Sequence, residues 1–478
     1  MPRRTKIVAT IGPASESPEQ LEALIRAGVD VCRLGLAHGE PPVHLERIAR
    51  IRAAAAALGK PVAILCDLPG PKIRAAPFAV DGVVLVEGDT LELVPGHAGS
   101  TGARIEVEYD ALVDDLAPGD AVTLGDGLIS LEVVDRSMDG WRATVLSAGR
   151  VMGRPGVHLP AERLRLSTPT DDDLRLLEAI APAQPEIVAV SFVRRADDLR
   201  QVRDALGPGG PMVMAKIETR AACDDLPAIL DAADAVMVAR GDLGIDCPTE
   251  EVPHLQKHII RTCVAWGVPV VTATQMLESM VLSPMPTRAE ASDVANAVFD
   301  GTDAVMLSGE TAIGHDPELV VRTMARIVER AEQEADYLAW GNRLGKLQRA
   351  AGVPEELAIT AAVTHAAWEA AVDLDAVAIV CCTRSGTTAR AMARFRPRCA
   401  LVSFSPTEAA ARQLALSWGV IPFATEWYES SDEIVWHAVE RAVQAGVART
   451  GDNVVVIAGS PVLGASATSD ILRVVRVR

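Results

Sequence analysis

Aromatic residues are scarce in this chain: phenylalanine, tyrosine and tryptophan make up 3% of its 478 residues. Its cores must therefore be built from small aliphatic side chains, and alanine, valine and leucine supply them. Apolar residues reach 49%, enough for two or three domains with large cores. No run of 18 apolar residues occurs, so no membrane span and no membrane partner are expected. The opening MPRRTKIVATIG is broken too soon to read as a signal peptide. Basic charge is also short, with a formal net charge of −18, which argues against a nucleic-acid surface. The eight cysteines form no CxxC pair, and only Cys381 and Cys382 are adjacent. They read as buried thiols in a reducing compartment, hence a cytoplasmic protein, and not as disulfides or a zinc site. A GxxxxGK loop followed by Ser or Thr is missing, so nucleotide is not held by a P-loop. No nucleophilic triad can be assembled from the scattered serines and threonines.

What the chain does have is eight apolar, β-branched runs that each end abruptly in polar residues. They are residues 5–12, 29–39, 61–74, 186–192, 211–218, 234–241, 269–275 and 303–309. Strands buried on both faces read this way. Helical stretches separate them: Ser17 caps SPEQLEALIRAG with Gly28 as its stop, a helix covers roughly 42–58, and Thr168 or Thr170 caps TDDDLRLLEAIA. Eight strand–helix units predict an α/β fold, a (β/α)8 TIM barrel. An open doubly wound sheet is the competitor. From about 75 to 160 the rhythm becomes short β-branched segments with glycine turns, an inserted small β-barrel lid domain. One helix is expected from about 317 to 340. Beyond it, helix and strand alternate again with about five strands. The expected division is 1–74 and 161–345 for the barrel, 75–160 for the lid and 346–478 for a C-terminal α/β domain.

In a barrel the C-terminal strand ends meet on one face. The polar residues delivered there are Arg33, His38, Asp67, Lys72, Arg74, Lys216, Glu218, Gly241, Asp242, Thr274, Ser308 and Glu310. Lys216 and Glu218 lie two apart, so on extended backbone they point the same way. Glu218 and Asp242 are the best pair for a divalent metal. Oxygen ligands without a convergent Cys/His set favour Mg2+ or Mn2+. Arg33, Lys216 and Thr274 are suited to surround a phosphoryl group, with the backbone at Gly241 and Asp242 holding its oxygens. Such a set fits phosphoryl transfer, where Lys216 neutralises charge on the transferring group. Solvated strand ends with ordinary surface charges are the plain alternative.

The stretches TKIVATIGPAS, GVHLP, MAKIE, VMVARGDLGI, VPVVTATQMLESM and PTRAEASDVANAVFDGTDAVMLSGETAIG resemble the pyruvate kinase family, and the likeness covers almost the whole chain. The resemblance implies transfer of a phosphoryl group from phosphoenolpyruvate to ADP, giving pyruvate and ATP in glycolysis. It implies phosphoenolpyruvate on a metal held by Glu218 and Asp242, with its phosphate met by Arg33, Lys216, Thr274 and the Gly241–Asp242 backbone. ADP and a second Mg2+ are implied near His38 and Arg74, with Asp126 on the closing edge of the lid. Ser308 and Thr274 are implicated in protonating the enolate. A homotetramer is the usual assembly.

The likeness is imperfect at two strands. RLGLAHG has Gly35 and Ala37 where the family carries asparagine and serine, and DLPGPK has Leu68 and Lys72 where it carries threonine and glutamate. The replaced groups help hold K+ in the family. The reading is that Lys72, partnered by Asp67, substitutes for that ion, so K+ is not required. In the C-terminal domain TRSGTTAR resembles an effector-phosphate loop, with Thr383, Ser385, Gly386, Thr387 and Thr388 as candidate contacts for an allosteric sugar phosphate or nucleotide. GSPVLGASATSD is a candidate facing loop. The competing functions are a diverged Mg2+-dependent barrel enzyme acting on an enolate or α-keto acid, and a noncatalytic metabolite-binding homologue.

Overall fold

The computed structural model describes residues 3–125, 127–160, 165–351, 355–426, 430–459 and 469–478. The eight expected runs form eight parallel strands: Lys6–Thr10, Val31–Gly35, Ala63–Asp67, Ile187–Val190, Met212–Ile217, Ala235–Ala239, Val270–Ala273 and Ala304–Leu307. Each pairs with its neighbours in the chain, and Lys6↔Ala304 pairing closes the ring. Side chains alternate between the interior and the surrounding helices. The interior takes Met214, Met237 and Met306 beside Ala63, Ala189, Ala235 and Ala304. Long flexible side chains opposite very small ones fill a narrow barrel without aromatics. This explains how a chain so poor in rings still closes its core.

Local signals set the helix ends. Ser17 Oγ accepts from Gln20 N at 3.2 Å and opens Pro18–Ala27, and Gly28 closes it at φ +123°. Thr170 and Asp173 form a reciprocal capping box on Asp171–Ile180. Asp173 also accepts Gly70 N at 3.0 Å, tying the turn after the third strand to this helix. That turn needs glycine: Gly70 has φ +66°, and a Cβ there would lie 2.9 Å from the Ser191 Cβ. The single helix expected over 317–340 is instead two, Pro317–Glu334 and Tyr337–Ala351. Ala335 turns extended, and Asp336 Oδ1 caps a new first turn by accepting Ala339 N at 3.0 Å.

Between the third and fourth barrel strands the chain makes a six-stranded sheet and a two-stranded ribbon. Leu93, Val122, Leu131, Trp141 and neighbours form their separate core. The outgoing and returning chains lie side by side, with Ala75 N donating to Pro155 O at 2.9 Å and Val157 N to Ile73 O at 3.0 Å. The last domain holds a five-stranded sheet, four strands parallel and Ser469–Arg476 antiparallel at one edge.

This last domain stops the N-terminal mouth of the barrel. Ala415 and Leu416 join the barrel's interior cluster. Asp303, below the eighth strand, pairs with Arg396 at 3.0 Å and accepts Trp418 N at 3.2 Å. Glu186, below the fourth strand, pairs with Arg412 and with Arg52, both at 2.7 Å. Lys6 Nζ donates to Val420 O at 2.9 Å. With that mouth stopped, the face of C-terminal strand ends is the mouth of the barrel left open among the described residues.

Candidate active site

Lys216 is the centre of that open face. It is buried, and its Nζ lies 2.9 Å from Glu218 Oε1, 3.3 Å from Asp67 Oδ1 and 2.6 Å from Ser191 Oγ. The two-residue spacing on the fifth strand is what brings Lys216 and Glu218 together. Burial alone would lower the lysine pKa, but Asp67 and Glu218 outweigh it and hold the ammonium charged. Asp67 is gripped from its other side by Arg33, whose Nε and Nη2 both stand 2.7 Å from Oδ2. Burial would raise the Asp67 pKa, but Lys216 and Arg33 prevail and lower it. Arg33 also donates to Thr10 Oγ1 at 2.9 Å.

Glu218 Oε2 accepts Phe192 N at 2.7 Å. Burial, reinforced by Asp242 and opposed by Lys216, holds this carboxyl above the ordinary range. Among Arg33, Lys216, Asp67, Glu218 and Asp242 the charges sum to one net negative when all are ionised. A phosphate ester would be repelled by that sum, and a divalent cation on Glu218 and Asp242 reverses its sign. Glu218 Oε1 stands against the Lys216 ammonium at 2.9 Å, so an ion on this carboxylate would share it with Lys216. Among the described residues no three His, Cys, Asp or Glu side chains form a complete metal cage. The pair therefore suits Mg2+ or Mn2+ completed by substrate and water.

Thr274 closes the site from the seventh strand. Its Oγ1 accepts Gly241 N at 2.8 Å, which joins three of the expected phosphate contacts: Thr274, Gly241 and the adjoining Asp242. A cavity of about 270 Å3 opens beside them, lined by Lys72, His158, Phe192, Glu218, Asp242 and Ile245 among others. His158 comes from the inserted domain and places Nε2 4.0 Å from Asp242 Oδ1. The cavity thus lies between barrel and lid.

Other expected residues sit further out. Lys72 is exposed on this cavity, while the ion pairs of Asp67 are with Arg33 and Lys216. The expected Lys72–Asp67 partnership is therefore replaced by a deeper one, because Arg33 from the second strand and Lys216 from the fifth both reach the carboxylate. His38 is exposed in the loop after the second strand. Arg74 lies where the chain leaves for the lid, donating to Arg154 O at 3.2 Å. Ser308 is half-buried, and its backbone N–H donates to Glu310 Oε2 at 2.6 Å. Asp126 lies outside the described residues.

Two contributors, Ser191 and Arg240, escaped the sequence reading, while Glu310, expected at this face, serves as a link between loops. Ser191 bridges Lys216 and Leu68 O, the latter at 2.7 Å. Glu310 ties Ser308 to Leu277, whose N–H it accepts at 3.0 Å. Arg240 grips the end of the seventh strand. The signal for Ser191 was present, since it ends an apolar run as the other site residues do.

In the C-terminal domain Thr383 Oγ1 accepts Gly386 N at 3.0 Å, and the Ser385 and Thr387 hydroxyls stand 2.9 Å apart. Thr388 Oγ1 lies 2.6 Å from Ser469 Oγ. Most of the candidate facing loop, residues 460–468, lies outside the described residues.

A closed barrel with a buried lysine, paired carboxylates and a lid-covered cavity at its strand ends defines a barrel enzyme equipped for phosphoryl chemistry. Residues 2–321 match the family model described as pyruvate kinase, barrel domain, and residues 361–475 match pyruvate kinase, alpha/beta domain. The chain belongs to the pyruvate kinase family. The pyruvate kinase of Geobacillus stearothermophilus is 42% identical over 479 residues, covering 99% of this chain and 80% of that protein. The pyruvate kinase of Clostridium acetobutylicum is 38% identical over 477 residues, covering 99% of each.

Proposed function

We propose that the chain transfers the phosphoryl group of phosphoenolpyruvate to ADP through the groups around Lys216. The observation that carries this reading is the buried ammonium of Lys216 between Asp67 and Glu218, with Glu218 and Asp242 lining a cavity between barrel and lid. The phosphoryl group rests against Arg33, Lys216, Thr274 and the Gly241–Asp242 backbone. Mg2+ or Mn2+, held by Glu218 and Asp242, supplies the positive charge that lets an anionic substrate enter. A β-phosphate oxygen of ADP forms the new bond to phosphorus, and the bond from phosphorus to the enol oxygen breaks. Lys216 and Arg33 offset charge along that path. The enolate left behind takes a proton at carbon, from water or through the hydroxyls of Ser308 and Thr274, and becomes pyruvate.

ADP lies toward His38 and Arg74, where the lid meets the barrel. Closure of the lid excludes water that would otherwise take the phosphate. Gly35, Ala37 and Leu68 offer no side-chain oxygen, so activity does not depend on K+. The hydroxyl-rich loop at Thr383–Thr388 accepts a phosphorylated effector, and four copies assemble, in the reducing cytoplasm that eight free thiols suit.

Coupled formation of pyruvate and ATP from phosphoenolpyruvate and ADP tests the reading. Lys216→Met should largely abolish turnover while Mn2+ still binds. A retained rate in that variant would remove the role given to Lys216.

A further inference from the structure

Thr274 and Gln275 stand in the left-handed region, at φ +67° and +53°. A β-branched residue such as Thr274 is a conformational outlier there, and two left-handed non-glycine residues in succession need something to hold them. Arg240 does so. Its Nη2 donates to Thr274 O at 2.7 Å and its Nε to Ala273 O at 3.2 Å, so one planar fork spans both carbonyls. The guanidinium is itself anchored by Asp293 Oδ1 at 2.7 Å and Gln256 Oε1 at 3.2 Å. The next residue, Gly241, completes the clamp by donating its N–H to Thr274 Oγ1. Helix, strand end and hydroxyl are thereby fixed in one unit.

We infer that Arg240 is a positioning residue for the reaction: it keeps the strand end at Thr274 inverted, so that the Thr274 hydroxyl stays where the transferring phosphoryl group lies. This rests on the Thr274 contact proposed above. Arg240 need not touch substrate, because its donors are already committed to carbonyls, Asp293 and Gln256. An ammonium cannot replace it, since a single point charge does not span two carbonyls and keep the Asp293 anchor.

The test is a cycle of Arg240→Gln, Thr274→Ala and the double variant, each checked for folding by circular dichroism. Displacing a reacting contact by an ångström costs about 100-fold, so Arg240→Gln should lose about that factor in kcat, with the KM for phosphoenolpyruvate changing by less than about threefold. Thr274→Ala should lose a similar factor. Because the two act as one unit, the double variant should fall within about threefold of the worse single. If the two losses multiply instead, Arg240 acts elsewhere and the inference is wrong. It is equally wrong if Arg240→Gln keeps wild-type kcat while Thr274→Ala does not, a result that leaves the site reading intact. Wild-type kcat in Thr274→Ala would overturn the contact at Thr274 and this inference with it. Should Arg240→Gln fail to fold, Arg240→Lys keeps the positive charge and carries the same cycle.

Discussion

Asp67 faces Lys216 across 3.3 Å, and Arg33 grips the opposite oxygen of the same carboxylate at 2.7 Å. One buried anion thereby joins the second, third and fifth barrel strands. Its folded pKa is lowered, because Lys216 and Arg33 outweigh burial. An unfolded aspartate titrates near about 3.9. The stability this group contributes is therefore fully present above about pH 4 and is lost as pH falls through the lower folded value. Asp67→Asn leaves the buried Lys216 and the half-buried Arg33 each short of a partner and should destabilise the barrel by about 3–5 kcal/mol at pH 7. That gap should narrow below about pH 4 as wild type loses the same contribution. Urea midpoints measured at both pH values check it. A gap that stays constant would mean that the carboxylate carries no such linkage.

The committed state of Asp67 reshapes the monovalent-cation question. Lys72 points to the cavity, not to Asp67, and Leu68 is buried. A Cβ at Gly35 would find only Arg33 Nη2 within 4 Å, at 3.9 Å, so nothing else crowds that spot. Activity in sodium-only or Tris-only buffer should stay above about a tenth of that in K+ buffer, since fixed cations replace the ion. Lys72→Glu should lower turnover, and added KCl should fail to restore it, because no side-chain oxygens at 35, 37 and 68 await the ion. Restoration by KCl would show that a K+ site survives here.

Glu218 and Asp242 are separable from catalysis by direct metal titration. Removing one of two carboxylates should weaken Mn2+ binding, read by electron paramagnetic resonance without substrate, by at least about tenfold. Glu218→Gln and Asp242→Asn should both show it, and Lys216→Met should not. Unchanged Mn2+ affinity in either carboxylate variant would move the divalent site elsewhere.

The barrel was legible because its strands are buried on both faces, which writes each one as a continuous apolar run with a polar tip. Lys216 and Glu218 were legible together because strand spacing alone puts them on one side. The Lys72 partnership was not. Sequence shows which charges lie near a strand end, but the choice among Lys72, Lys216 and Arg33 depends on inter-strand register. Arg240 was hidden for a related reason: its grip crosses to the seventh strand, and no spacing within the chain announces it. The helix break at Ala335 was missed because its only mark is the cap at Asp336, in a stretch otherwise rich in helix formers.

The stopped mouth of the barrel bears on how this protein can be taken apart or recombined. Ala415 and Leu416 are apolar flooring borrowed from a distant part of the chain, and Glu186, Asp303 and Lys6 keep part of their pairing there. A barrel severed near residue 345 would be an open-bottomed vessel, with its interior wetted from below and those charges half abandoned. Gene shuffling could exchange the lid, which has its own core and leaves by two adjacent threads. The catalytic barrel travels only with its floor.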